Sequence, residues 1–399
     1  MSVTGDEGPL IFIVTGEPSG DLIGARLMTA LRQETGGKVR FAGIGGDAMT
    51  AEGLTSLVDI RELAVMGLLE VLPKAPLIIK RVRETVAEIT RLRPDVLVTI
   101  DSWGFTMRIN EKVRAFADPI PQVHYVAPMV WVWRAKRAGQ LAGWVDHLMA
   151  LLPHEPPYFE AEGLPVTCVG HPVVESGADK GDGVGFRARH GIPEGATLLG
   201  VLPGSRRSEV VRMLPIFRDV VRQVAVTKQA GQLHLVTPTV SIVSDVVRGE
   251  MTGWGLPVTF VSGVTERYNA MAAMDAALAA SGTVTLELAM AGVPTVICYK
   301  VSALSAWLFR RVAKDPYASL INHHFGRLAI PECLQEKCIP EVITPALLKV
   351  LDDPDVRARQ KQDVAQALRD MGLGRDRPSL NAARLVLSMI GSKRRTGKS

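Results

Sequence analysis

Short apolar runs alternate along this chain with longer stretches whose apolar residues recur at helical spacing. Leu10–Thr15 is the first such run. It ends in Gly16-Glu17-Pro18-Ser19-Gly20-Asp21, after which Leu22, Ala25, Leu27, Met28 and Leu31 mark one face of a helix. Residues 39–44 form a second run closed by Gly45-Gly46. Residues 95–100 form a third, closed by Asp101, and residues 121–126 a fourth, closed by Ala127-Pro128. Continuous apolar strands separated by helices predict a parallel sheet covered on both faces.

The pattern then starts again. Thr197–Leu202 is an apolar strand ending in Pro203-Gly204-Ser205-Arg206, and Val210, Met213, Leu214, Phe217, Val220 and Val221 follow at helical spacing. Further strands are expected at 232–236, Val258–Val261, Ala276–Ala280 and 294–299, whereas 346–390 reads as helices only. Two openings of one kind predict two doubly wound α/β domains rather than one large sheet. A polar, glycine-rich joint lies between them, from Gly170-His171-Pro172 to Gly181-Asp182-Gly183. The expected divisions are 1–172, 173–365 and 366–399, the last being helices that pack back on the first domain or on a partner subunit.

Composition narrows the class. Of 399 residues, 47% are hydrophobic and 22% charged, as in ordinary soluble domains. The longest apolar stretches, such as 125–133, fall well short of the ~18 residues a spanning helix needs. Residues 1–8 are acidic where a signal peptide would be basic, so a cytoplasmic location is expected. Cys168, Cys298, Cys333 and Cys338 are too few for a disulfide framework, and Cys333 with Cys338 lacks the second pair of a zinc site. The net charge is +5, but Lys393, Arg394, Arg395 and Lys398 carry four of those charges, leaving the body at +1. Without a basic face, nucleic acid is not an expected partner.

Candidate chemistry sits where strands end, because ligands of open parallel sheets bind at the carboxyl ends of strands. The loop 16–21 is neither GxGxxG nor a P-loop. Its glycines allow a tight turn, and Ser19 or Asp21 is positioned to cap the next helix. Asp101 follows a buried strand and precedes Ser102-Trp103-Gly104-Phe105, an apolar setting that raises a carboxyl pKa and suits a general base. Gly204-Ser205-Arg206, with Glu209, offers amides, a hydroxyl and a guanidinium fork to a diphosphate. Ser281-Gly282-Thr283 with Glu287 offers a carboxylate to the two hydroxyls of a ribose. Asp353-Pro354-Asp355 reads as a turn and helix cap rather than a metal motif. His323-His324 has no further ligand at metal spacing. The apolar stretch 63–79, interrupted by Gly67 and Pro73 and followed by Lys80, Arg81 and Arg83, reads either as a core helix or as a segment that dips into lipid.

Taken together, these residues resemble the lipid-A-disaccharide synthases, bacterial glycosyltransferases of the GT-B type. The resemblance covers about residues 9–390. It rests on Gly16 to Asp21, Ala64-Val65-Met66-Gly67 with Glu70-Val71-Leu72, Pro94-Asp95-Val96 through Asp101, and His124-Tyr125-Val126 with Val130-Trp131-Val132-Trp133-Arg134. It continues through Val169-Gly170-His171-Pro172, residues 202–206 with Glu209, residues 280–283 with Glu287, and Tyr317, Ser319, Leu320 and Asn322. In one place the chain departs. The family's base aspartate is usually followed by a Pro-Asp-Phe-Asn run, where this chain has Ser102-Trp103-Gly104-Phe105-Thr106.

The resemblance implies two Rossmann-like domains facing a central cleft. It also implies transfer from UDP-2,3-diacylglucosamine to 2,3-diacylglucosamine 1-phosphate, giving a β-1,6 disaccharide and UDP with inversion, and needing no metal or cofactor. Asp101 would be the base and Arg206 would stabilise the diphosphate. Gly204, Ser205, Arg206, Ser281, Gly282, Thr283, Glu287 and Asn322 would hold the UDP-sugar. Gly16, Glu17, Ser19, Gly20, Asp21 and Met66 would hold the acylated sugar phosphate acceptor. The implied setting is the surface of the inner membrane, bound peripherally, with a homodimer as a further partner state. A UDP-sugar epimerase of the same architecture is the rival reading. The apolar stretch 63–79 counts against it, since an epimerase binds no lipid.

Overall fold

The computed structural model describes residues 8–63, 68–130, 136–228, 232–302, 306 and 315–396. The chain forms two compact units, Met1–Pro172 with Gly374–Ser399, and Val173–Leu373.

In the first unit, strands β1 (Leu10–Thr15), β2 (Arg40–Ile44), β3 (Val96–Ile100), β4 (Gln122–Tyr125), β5 (His147–Ala150) and β6 (Val166–Cys168) form one sheet. Its order is β2-β1-β3-β4-β5-β6, and every pairing is parallel. β1 and β3 are buried along almost their whole length, which is why they read as uninterrupted apolar runs. Phe12, Val14, Ile44 and Leu97 pack on one face against Val82 and Ile89 of helix Leu68–Leu92 and against Phe105, Ile109 and Val113 of helix Trp103–Arg114. Each such side chain contributes about 1.5–3 kcal/mol by leaving water. Helix Pro378–Thr396 packs along helix Pro18–Glu34. These two helices also hold the chain just before it leaves the unit. Arg26 Nη1 donates to the Pro172 carbonyl at 2.8 Å, and Asn381 Nδ2 to that of Val169 at 3.2 Å.

In the second unit, β7 (Thr197–Leu202), β8 (Leu233–Pro238), β9 (Val258–Val261), β10 (Ala276–Ala280), β11 (Thr295–Tyr299) and β12 (Glu332–Leu334) pair in the order β12-β11-β10-β7-β8-β9, again all parallel. The predicted helical stripe holds. Val210, Met213, Leu214, Phe217, Val220 and Val221 of helix Arg207–Lys228 are all buried against the sheet, with Ile343, Leu347 and Val350 of helix Pro340–Asp352.

Both sheets are doubly wound α/β layers. The strand order reverses between β1 and β3 in the first unit and between β7 and β10 in the second. The segment expected to be helical does consist of helices, Pro340–Asp352, Pro354–Asp370 and Pro378–Thr396. Asp353 accepts from the Asp355 and Val356 amides, so Asp353-Pro354-Asp355 is a helix start. Two expectations fail. The sequence pattern does not predict β5, β6 or β12, which are only three or four residues long. Leu68–Leu92 is one helix that continues through Pro73, since a proline removes one backbone hydrogen bond without necessarily ending a helix. Residues 64–67, Met66 among them, lie outside the described residues. Among those described, no helix is long and apolar enough to cross a membrane.

Candidate active site at the two switch points

Where strand order reverses, the loops on either side diverge and leave a crevice at the strands' carboxyl ends. All four candidate loops emerge at such reversals, two in each unit.

In the first unit, Thr15 lies opposite Ile100, so the loop after β1 and the loop after β3 start side by side. The Gly16 amide donates to Ser102 Oγ at 3.0 Å. A Cβ on Gly16 would itself sit 3.0 Å from that oxygen, and one on Gly20 would sit 2.1 Å from Thr15 Oγ1, so both glycines permit close approach. Helix Pro18–Glu34 begins here with Pro at its start, Glu17 extended at the cap, and no side chain capping it. Ser19 is exposed on this first turn. The uncapped turn is a positive helix end aimed where an anion is stabilised.

The expectation that Ser19 or Asp21 caps this helix is corrected. Asp21 is buried and turns toward β2, accepting from the amides of Gly46 (2.7 Å), Ala48 (2.9 Å) and Met49 (3.1 Å). It therefore caps the neighbouring helix Asp47–Ala51, whose own cap residue, Gly46, has no side chain to do so. Asp21 shapes the loop and is not turned outward toward an acceptor.

Asp101 and Ser102 are consecutive residues with left-handed backbone, at φ 47° and 52°, and Val126 at the end of β4 has φ 80°. Non-glycine residues there cost about 1–3 kcal/mol each and persist only when their surroundings over-determine them. The surroundings do so. The Asp101 amide donates to the Tyr125 carbonyl at 3.0 Å, Thr106 Oγ1 donates to the Asp101 carbonyl at 2.6 Å, and the Val126 amide donates to the Met149 carbonyl at 3.1 Å. Burial pushes the Asp101 carboxyl above the usual carboxylate range, and a bond from the Ser102 amide pulls weakly the other way. Under the loop, Thr99 Oγ1 joins His124 Nδ1 and Asn110 Nδ2. Burial drives the His124 pKa down to about 3, so this layer is neutral at physiological pH. Trp103, the bulky departure, lies with the Arg137 guanidinium 4.5 Å from its ring centre and Trp144 at 6.3 Å.

In the second unit, Leu202 lies opposite Ala279, and the loops after β7 and β10 start together. Gly204 has φ 118°, a conformation that favours glycine. Ser205 is exposed. Arg206 Nη1 donates to Glu209 Oε1 at 2.9 Å, and Tyr299 OH donates to the same oxygen at 3.2 Å. Glu209 thus orients Arg206. Across the reversal, Ser281 Oγ donates to the Ala318 carbonyl at 3.0 Å, while Gly282 and Thr283 are exposed. Glu287 Oε1 accepts from Arg267 Nη2 at 2.9 Å and Tyr268 OH at 3.1 Å. Sequence reasoning missed Arg267 and Tyr268, because nothing local links them to a helix some twenty residues on.

Asn322 departs from its expected role. It is fully buried, and its amide group is fully engaged. Nδ2 donates to the Ile330 carbonyl and Glu332 Oε1, and Oδ1 accepts from the Ala329 and Ile330 amides. It positions the loop 318–332 and has no capacity left for a sugar. His323 pairs with Asp315, and His324 with Asp370. Among the described residues, no three His, Cys, Asp or Glu side chains gather as a metal-binding group.

A family model for lipid-A-disaccharide synthetase matches residues 11–383. The lipid-A-disaccharide synthase of Paramagnetospirillum magneticum is 48% identical over 392 residues, covering 97% of this chain and 100% of its own. That of Rhodospirillum centenum is 47% identical over 381 residues, covering 96% and 94%. Among solved structures, the UDP-GlcNAc 2-epimerase from Neisseria meningitidis bound to UDP-GlcNAc aligns at TM-score 0.64 and 11% identity, covering 96% of this chain and 100% of its own. Acinetobacter baumannii MurG aligns at TM-score 0.55 and 13% identity, covering 96% and 99%. At such identities the likeness is one of fold, the GT-B architecture. Family match, near-full-length relatives and fold agree: this chain belongs to the lipid-A-disaccharide synthase family of glycosyltransferases.

Proposed function

We propose that this enzyme joins UDP-2,3-diacylglucosamine to 2,3-diacylglucosamine 1-phosphate, forming the β-1,6 lipid A disaccharide 1-phosphate and UDP. The single observation that carries the mechanism is Asp101: a carboxyl on a strained turn at a switch point, kept basic by burial. It takes the proton of the acceptor 6-hydroxyl as that oxygen attacks the anomeric carbon from the face opposite UDP, inverting it. The first unit is the proposed acceptor side, with Glu17, Ser19, Gly20 and Met66 around the sugar phosphate, and with Gly16, whose amide is engaged by Ser102, and Asp21 shaping their loop.

The second unit is the donor side. Gly204, Ser205 and Arg206 take the diphosphate, and Ser281, Gly282, Thr283 and Glu287 take the nucleoside and sugar. Arg206 and the adjoining helix start stabilise the charge that develops on the leaving diphosphate, so the step is proposed to proceed without a metal. UDP-sugar binding gains support from solved relatives of this fold, bound to UDP-GlcNAc in the N. meningitidis epimerase and to UDP in a Staphylococcus aureus protein.

The acylated substrates require peripheral attachment to the inner membrane, through the N-terminal part of helix Leu68–Leu92 and nearby lysines and arginines. Lys74, Lys80, Arg81 and Arg83 are the cations proposed to meet headgroups; Arg81 is also paired with Glu62 and Glu84, and Lys80 reaches Glu84 at 3.9 Å. Of the third expected segment, 366–399, only Gly374–Ser399 belongs to the first unit, and a homodimer is the proposed assembly.

Asp101→Asn is expected to lower turnover by about 100-fold to 10,000-fold with UDP affinity unchanged. UDP release is measured with both lipid substrates present. Retention of most of the wild-type rate would remove Asp101 as the base. The epimerase reading draws only on neighbours of low identity. It predicts an altered UDP-sugar with no acceptor present and no net UDP release, which chromatography of the UDP-sugar detects when the acceptor is omitted.

A further inference from the structure

Resting on the proposed role of Asp101, we infer that Ser102 is the positioning residue for the base, acting through the hydrogen bond that its side-chain oxygen accepts from the Gly16 amide. Ser102 directly follows Asp101, and it is buried. The other bonds that fix the turn stay near it in sequence or come from strand ends. Phe105 and Thr106 amides donate to the Ser102 carbonyl, Thr106 Oγ1 donates to the Asp101 carbonyl, and the Asp101 amide donates to Tyr125. The 3.0 Å bond from Gly16 to Ser102 Oγ instead crosses the switch point and ties the base's turn to the acceptor loop. Gly16 can approach because it has no Cβ, which would sit 3.0 Å from Ser102 Oγ and 3.1 Å from Ser102 Cβ.

The tie has two consequences. It holds two successive left-handed residues in place, so the Asp101 carboxyl keeps one orientation and its dry surroundings. It also engages the Gly16 amide, which is then closed to the acceptor. Gly16 therefore serves the site by docking on Ser102 rather than by binding sugar.

The test compares Ser102→Ala and Ser102→Gly with Asp101→Asn. Readouts are UDP release from the two lipid substrates as a function of pH, UDP affinity by calorimetry, and thermal melting. Alanine keeps a Cβ and loses the hydroxyl. Glycine also loses it but accepts the left-handed backbone without strain, so a glycine variant folds even where alanine does not. Both Ser102 variants are expected to lose on the order of tenfold in kcat. UDP affinity should not change. The acid limb of the kcat/KM profile should move to lower pH, as a loosened Asp101 becomes hydrated.

A folded variant with wild-type kcat and acid limb overturns the inference. So does a glycine variant that restores what alanine loses, since relief of strain would then be the whole effect. If Asp101→Asn is inactive while the Ser102 variants match wild type, this inference alone falls. If Asp101→Asn remains active, the base assignment falls and takes this inference with it.

Discussion

Arg206 Nη1 reaches Glu209 Oε1 at 2.9 Å, with the guanidinium side chain 51% exposed and the carboxylate side chain only 12% exposed. The carboxylate is thus the fixed partner and the guanidinium the one presented outward. Arg206→Ala is expected to weaken UDP binding by roughly 1.5–3 kcal/mol, about 10-fold to 150-fold. Glu209→Gln added to Arg206→Ala is expected to change nothing further, because Glu209 acts through Arg206. Calorimetry on the single and double variants checks this, and additive losses would give Glu209 a separate contact with the ligand.

Asp21 anchors the loop after β1 to the loop after β2. Its carboxylate accepts three backbone amides in a buried setting. Asp21→Asn keeps the shape but turns an NH2 group toward at least one of those donors. Hydrogen bonds to charged groups contribute about 1.5–3 kcal/mol each, so a loss of at least about 1.5 kcal/mol in unfolding free energy is expected. Urea unfolding measures it, and a loss under about 1 kcal/mol would show that the amides find other partners.

Glu155 sets a pH dependence of stability. It is buried beyond β5, where its Oε2 accepts from the Leu151 and Leu152 amides, yet burial outweighs those bonds and raises its pKa to about 7. The folded state therefore holds the proton more tightly than the unfolded state, which titrates near 4.5. Its contribution is fully present below pH 4.5 and is lost as pH rises through about 7. Relative to Glu155→Gln, the wild type should lose roughly 3 kcal/mol across that window and stay level above it. Parallel melting curves from pH 4.5 to 8 test this, and parallel slopes for the two proteins would refute it.

Leu68 and Leu69 open helix Leu68–Leu92. Replacing both with Ser is expected to release the protein from anionic vesicles and raise KM for the lipid acceptor more than it alters UDP affinity. Salt alone should release it in part, since screening weakens ionic contacts and not apolar insertion. A folded double variant that still sediments with vesicles and keeps its KM would make the segment ordinary core.

The long central strands and their loops were legible because full burial leaves an unbroken apolar run, as in Ile11 to Val14 or Ala276–Ala280. The short strand β12 was not, because three residues carry no period. Of the candidate loops, those carrying Asp101 in the first unit and Gly204 and Arg206 in the second were legible from their places after strands. The direction in which Asp21 points was not, since its partners lie on a separate strand end and helix brought beside it by sheet pairing. The partners of Glu287 were hidden for the same reason. The resemblance alone marked Asn322 as a ligand, yet the fold uses its amide entirely inside the unit.

The first unit is completed by helix Pro378–Thr396, on the far side of the whole second unit in the chain. A ribosome adding about 5–20 residues per second takes roughly 10–40 s to traverse the intervening stretch. Through that interval the newborn first sheet waits with the flank of Pro18–Glu34 uncovered, lacking Ala382, Ala383 and Val386. The first unit, begun first, is thus finished last, and a message broken anywhere before residue 378 leaves it open.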